Sequence, residues 1–293
     1  MTTHEILELP TLHVFENRRS RLTAIARRLL RSPTFDVGMV IVLFWMFDAI
    51  FWKYITPHNP QALDPYLTLK GPSGVHWFGT DWLGRDVFSR VLAGSTTVLE
   101  IAPLATILGV VGGTIVGLIT GYYGGAMDTL VMRVVDAFLA FPLVIIAVLV
   151  LSLLGSSEVT IILLIGIVFT PVVSRTVRSV VLVERNREYV AAARLRGERG
   201  PYIMVAEILP NITSAIIVET TVRVGYAIFT AATLSFLGLG LQPPAPDWGL
   251  AIAEGRTYLE FAPWVVLFPA LALATLVVGI NLLVDSISKV VQS

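Results

Sequence analysis

Cysteine is absent from the sequence, which excludes disulfides, thiolate metal sites and a cysteine nucleophile together. Lysine occurs only at Lys53, Lys70 and Lys289, and none of them follows a glycine. A Walker A phosphate loop needs Gly-Lys-Ser/Thr, so this chain does not bind ATP in that way. The four histidines, His4, His13, His58 and His76, lie outside the apolar runs, and no HExxH or comparable spacing occurs, so the sequence suggests no metal site. No motif brings together a nucleophile, a base and an oxyanion donor, so no catalytic set is expected. Charge is also scarce: 14% of residues are Asp, Glu, Lys or Arg, where a soluble domain carries roughly a quarter.

Apolar residues take the place of charge. They make up 55% of the 293 residues, and the mean hydropathy is +0.77. That is the composition of a polytopic membrane protein. Apolar runs of about the 20 residues needed to cross a bilayer fall at about 35–55, 97–122, 130–154, 159–182, 213–236 and 261–284. They predict an all-α membrane protein with six transmembrane helices, since a spanning chain must satisfy its backbone internally. Residues 1–34 hold six arginines, at 18, 19, 21, 27, 28 and 31, around a face of Leu22, Ile25, Ala26 and Leu29. This pattern predicts a basic amphipathic segment lying on an anionic leaflet, and it lacks the immediate apolar core of a cleavable signal peptide. The stretch 183–211 carries five arginines and the segment 56–95 three Arg or Lys, while the last outer segment, 237–260, has only Arg256. The positive-inside rule then places both termini and the stretch 183–211 in the cytoplasm.

The segment 56–95 is rich in Pro, Gly and Trp and reads as an ordered outer loop ending in a short amphipathic helix over about 84–92. Asp81, Arg85 and Asp86 fit either a local polar network that fixes this loop or a contact with cargo. Asp247, Glu254 and Glu260, in the last outer segment, fit contacts with a cationic cargo or a delivering protein. Within the second span, Gly109, Gly113, Gly117 and Gly121 recur every fourth residue and share one helix face. Such spacing lets two membrane helices pack backbone to backbone, within the chain or against a partner. Glu219 and Arg223, four apart in the fifth span, fit a path for a zwitterionic solute or mutual neutralisation at a helix interface. Asp48 and Glu100 read as interfacial.

The most informative stretch is Arg187 to Asn211, a basic island between apolar runs. Glu188 to Arg196 favours helix, with alanines at Ala191, Ala192 and Ala193, and Gly197 stands where a helix end wants positive φ. Pro201 suits the opening of a second short helix, and Pro210 disfavours helical geometry at Leu209 and is expected to close it. The product is a helix–turn–helix at the membrane surface whose small side chains let another protein approach closely.

This run resembles the cytoplasmic coupling signature of ABC importer permeases: Glu-Ala-Ala, three residues, Gly, then Leu-Pro. Ala192, Ala193, Gly197, Leu209 and Pro210 match; Ala191 stands where the family usually has Glu, and Glu188 is the nearest acid. GTDWLGRD at 79–86 and LSFLGLG followed by PPAPDWG at 234–249 are similar to segments of one subfamily, the second permease of dipeptide, oligopeptide and nickel importers. The resemblance covers roughly 35–285. It implies a type I importer permease domain over 35–293 in the bacterial inner membrane, with Glu188, Ala191, Ala192, Ala193, Gly197, Leu209 and Pro210 docking an ATPase. It implies a homologous second permease, two cytoplasmic ATPase subunits that bind ATP and magnesium, and an extracytoplasmic solute-binding protein. The implied cargo is short peptides, with nickel, glutathione or opines as alternatives in the same class. A self-contained secondary transporter is the competing reading; it would be expected to show inverted repeats, paired broken helices or midplane titratable groups, but no paired broken segments are found and the docking loop would be left unexplained.

Overall fold

A bilayer offers no water to bond a free amide, so the apolar runs become helices, and the computed structural model describes residues 32–292 as a helical bundle. In chain order the helices are α1 (Pro33–Ile55), α2 (Val87–Tyr123), α3 (Gly125–Leu139), α4 (Leu143–Leu154), α5 (Glu158–Glu184), α6 (Glu188–Leu195), α7 (Gly200–Phe236), α8 (Trp248–Gly255) and α9 (Trp264–Gln292). Among the described residues there is no strand, only one isolated bridge between Thr80 and Asp86. Five helices (α1, α2, α5, α7 and α9) are long and apolar enough to cross a membrane. The pair α3 and α4 makes the sixth span if taken together. The basic segment expected over 1–34 lies, up to residue 31, outside the described residues.

The bundle is built on the contact between α2 and α5. A Cβ added at Gly109 would stand 2.7 Å from the Phe169 Cβ, at Gly113 2.5 Å from Val173, at Gly117 2.7 Å from Val177 and at Gly121 2.7 Å from Val181. The glycine face therefore closes within this chain, and Val173 and Val181 are fully buried against it. With no hydrophobic drive between helices in lipid, close van der Waals approach of this kind sets which helices pair. A smaller version joins α1 to α9: a Cβ at Gly38 would come within 2.8 Å of the Gly279 carbonyl oxygen. Asp48, expected at an interface with water, is instead buried at 2% exposure beside α2, where Thr96 Oγ1 donates to the Ala49 carbonyl.

Three boundaries differ from the sequence reading. The helix expected over 84–92 is not separate: it begins at Val87 and runs without a break to Tyr123. At 37 residues it is about 55 Å long, so one end stands well outside a hydrocarbon core of about 30 Å. The third span is broken, because α3 and α4 meet at 85°. Pro142 at the N-cap of α4 cannot continue the helix, since it removes a donor and clashes with the preceding turn. Finally, Pro210 does not end a helix. A π turn over Ile203–Ile208 precedes it, with the Leu209 amide bonding to the Met204 carbonyl, and the chain continues as α7 to Phe236. The wider turn absorbs the missing proline N–H, one of the adjustments that make proline tolerable in spanning helices.

Filling the α2–α5 contact is expected to destabilise the bundle. Gly117→Leu should lower the detergent melting temperature by on the order of 5 °C, as overpacking of a tight contact costs about 1–3 kcal/mol. Gly74→Ala, at a position with nothing within 4 Å, should leave it unchanged.

Candidate functional site

The polar groups gather at the two ends of the bundle. At one end, α6 closes in a Schellman arrangement: the Glu198 amide bonds to the Ala193 carbonyl at 3.2 Å and the Gly197 amide to the Arg194 carbonyl at 3.0 Å. Gly197 sits at φ +78°, where a side chain would be strained. Val190 and Ala193 point inward, both 0% exposed, into an apolar cluster with Val177, Val181, Ile203, Met204 and Ile208. The helical period leaves Glu188, Ala191, Ala192, Arg194 and Leu195 outward, Leu195 at 90% exposure. Tyr202, Val205 and Pro210 extend the exposed face from α7.

Polar bonds hold this loop to the spans. Arg185 donates to the Gly121 carbonyl at 2.9 Å, and Arg194 lies 5.2 Å over the Tyr122 ring. Arg196 bridges Glu198 at 2.7 Å and Glu207 at 2.9 Å, tying the turn to the start of α7. The Tyr189 hydroxyl donates to Glu184 at 2.9 Å. Burial, reinforced by that carboxylate, pushes its pKa up to about 12, so it remains a donor. Arg178 grips Asp128 with two bonds of 2.6 Å, and Arg175 pairs with Asp136, fastening α3 to α5. Of the residues expected to dock a partner, Ala193 is interior and Leu209 half-buried, because the face that carries them packs on the bundle.

At the other end, the segment between α1 and α2 folds around Asp81. Its Oδ1 accepts from the Leu83 and Arg85 amides, and Oδ2 takes the Arg85 Nε at 2.6 Å. Arg85 reaches across to Glu254 of α8 at 2.8 Å, and Arg90 donates to the Pro60 and Ala245 carbonyls. Gly84, at φ +74°, lies against Asp64, where a Cβ would come within 1.9 Å of the carbonyl oxygen. Asp86 caps α2 through Ser89, and Asp247 caps α8 through Leu250. Burial pushes the Asp247 carboxyl above its ordinary range, against the opposing pull of that backbone bond. Trp248 donates to the Val91 carbonyl and Trp264 to the Thr80 carbonyl.

These residues form one internal truss. Asp81, Arg85, Asp86 and Asp247 are all under 5% exposed, and Glu254 is spent on Arg85. Of the two readings of Asp81, Arg85 and Asp86, the local polar network is the one seen; Asp247 and Glu254 are likewise turned inward, and only Glu260 of that group is exposed. Arg90, Trp248 and Trp264 were missed by sequence reasoning, since nothing in local spacing marks partners more than 150 residues apart. Glu219 and Arg223 pair at 2.6 Å within α7, and the guanidinium lies 5.7 Å over the Phe169 ring and 5.3 Å over Tyr226. One turn further along, a cleft of about 390 Å³ opens between α7 and α9, lined by Gly225, Tyr226, Phe229, Asn281 and Asp285 among others.

Comparison with known proteins places this arrangement. Residues 113–293 match the family model described as binding-protein-dependent transport system inner membrane component. The chain is 38% identical over 261 residues to the dipeptide transport system permease protein DppC of Alkalihalophilus pseudofirmus, covering 89% of this chain and 86% of that protein. It is 37% identical over 282 residues to the glutathione transport system permease protein GsiD of Pectobacterium atrosepticum, covering 95% and 94%. It is 40% identical over 262 residues to GsiD of an Escherichia coli strain, covering 89% and 86%.

The truss makes a separable prediction. Arg85→Met strands two carboxylates in a closed site and should cost about 3–5 kcal/mol, read as a large loss of folded protein in detergent. Glu254→Gln keeps an acceptor for Arg85 and should lose markedly less in the same assay.

Proposed function

This chain belongs to the family of binding-protein-dependent transport system inner membrane components, the permease subunits of ABC importers, and on that premise we propose that it forms half of the translocation path for short peptides. The two most informative relatives are named for dipeptides and for glutathione, itself a tripeptide, so one cargo chemistry covers both. A second, homologous permease completes the path, two ATPase subunits supply ATP hydrolysis, and a solute-binding protein delivers the cargo. The chain itself performs no catalysis.

The observation that carries this reading is the outward face of α6. Ala191, Ala192 and Leu195 stand clear of the bundle, while Val190 and Ala193 are fixed in its core. Small side chains beside one prominent leucine suit a groove on another protein, and the buried side makes the loop move with α2, α5 and α7 as one body. Five arginines in 183–211 support a cytoplasmic position for this end, by the positive-inside rule. Closure of the ATPases on ATP would then tilt the spans through α6. The truss around Asp81 and Arg85, on the opposite end, would keep the outer segments rigid during that motion.

The ion pair of Glu219 and Arg223 is proposed to line the path. It offers both signs of charge to a zwitterionic peptide, and the neighbouring cleft between α7 and α9 supplies the opening.

Leu195→Glu should abolish ATPase co-purification and peptide uptake while leaving the melting temperature of this chain unchanged, because the side chain is exposed. Ala193→Glu should instead prevent folding of the loop. Uptake and co-purification at wild-type level in the Leu195→Glu transporter would overturn the docking assignment.

A further inference from the structure

We propose that His58, His76 and Asp86 form a binding site for a divalent transition-metal ion of the imidazole-preferring class, with zinc as its reference member. The sequence gives no hint of it, for 17 residues separate the histidines from each other in a loop with no ligand motif. Folding brings them together: each residue offers one ligand atom, and these atoms all lie within 4.8 Å of one another. Ligand atoms on a tetrahedral zinc, each about 2.1 Å from the metal, are roughly 3.4 Å apart. Closing the set therefore asks for a movement of at most about 1.4 Å, within the reach of the half-buried His58 ring.

The hydrogen bonds prepare the nitrogens. His58 Nε2 faces the Val75 carbonyl at 3.0 Å, and a carbonyl only accepts, so that nitrogen carries the proton and Nδ1 keeps its lone pair. His76 Nδ1 donates to Asp86 Oδ1 at 2.9 Å, so these two ligand atoms already sit side by side, and loss of the proton between them frees both to meet the ion. An imidazole oriented by a carbonyl behind it, as His58 is, is a usual arrangement around bound metals. The two rings already face each other, with centroids 4.7 Å apart and planes at 34°. Asp86 adds the negative charge and is held in place by Ser89, from both its amide and its hydroxyl.

The placement gives the site a use. His58 follows α1, His76 lies in the loop, and Asp86 caps α2, so an ion here would clip the loop to the ends of two spans. The site is separate from the α7–α9 cleft and from the α6 face. On the topology proposed above, it opens to the extracytoplasmic side.

The test uses the assembled transporter, purified through a tag without histidine and stripped with chelator, and titrated calorimetrically with zinc chloride. Wild type should bind one zinc more per copy of this chain than the His58→Phe transporter, whose ring stacking is retained. Asp86→Asn preserves the helix cap and should weaken that zinc by more than the roughly 10–100-fold that loss of an outer-shell partner costs. Zinc should also raise the melting temperature of wild type more than that of His58→Phe. Equal zinc stoichiometry and equal thermal shifts in wild type and His58→Phe would overturn the site.

Discussion

The close approach of α2 and α5 is the constraint on which the rest of this structure depends. In lipid there is no hydrophobic gain from pressing two apolar helices together, so pairing rests on how near their backbones can come. The glycines at 109, 113, 117 and 121 remove the side chains from one face of α2, and Phe169, Val173, Val177 and Val181 occupy the space. Glycine is a poor helix former in water, and its repeated use here is tolerated because the bilayer enforces helicity while packing selects the partner. Once α2 and α5 are fixed, both polar ends follow. The α6 loop grows from the end of α5 and packs on Val173, Val177 and Val181, and the truss at the other end is capped on the first turn of α2.

The two ends use charge differently. At the truss, Asp81, Arg85, Arg90 and Glu254 are turned on each other and removed from water, which stabilises one geometry and offers little to a partner. At the α6 end, the acids and arginines tie the loop down from its flanks, through Arg185, Arg196 and Tyr189, and leave Ala191, Ala192 and Leu195 outward between Glu188 and Arg194. A rigid loop with an uncharged protruding leucine is suited to transmit a push. A permease that must be rocked from outside needs one such handle and a bundle stiff enough to follow it.

Much of this was legible in the sequence, for identifiable reasons. Helix content and the number of spans follow from apolar run length, and a close-packing face on α2 from a four-residue glycine period, both of which are local signals; that α5 fills this face is seen only in the fold. Gly197 announced its helix end because only a residue tolerant of positive φ fits there. What local reading missed depended on distant partners. Arg85 finds Glu254 across 169 residues, and Trp264 finds Thr80 across 184. The same applies to His58 and His76, whose spacing is uninformative until a turn brings them face to face. Pro210 was misjudged for another reason: a π turn relieves a proline without ending the helix, and no single residue encodes that turn. The inward face of Ala193 likewise belongs to the packing of α6, since three successive alanines look alike until one of them is buried.

The central claim is that the outward face of α6 meets an ATPase, and the absence of cysteine makes it directly measurable. A single Leu195→Cys in this otherwise cysteine-free chain, carried in the native transporter, can be treated with a short photoactivatable thiol cross-linker in membrane vesicles. The adduct, identified by mass spectrometry, should contain a nucleotide-binding subunit, and its yield should change when ATP is added. An adduct-free Leu195→Cys chain, in vesicles where the ATPase subunits are present and uptake is active, would contradict the account and leave α6 without its assigned role.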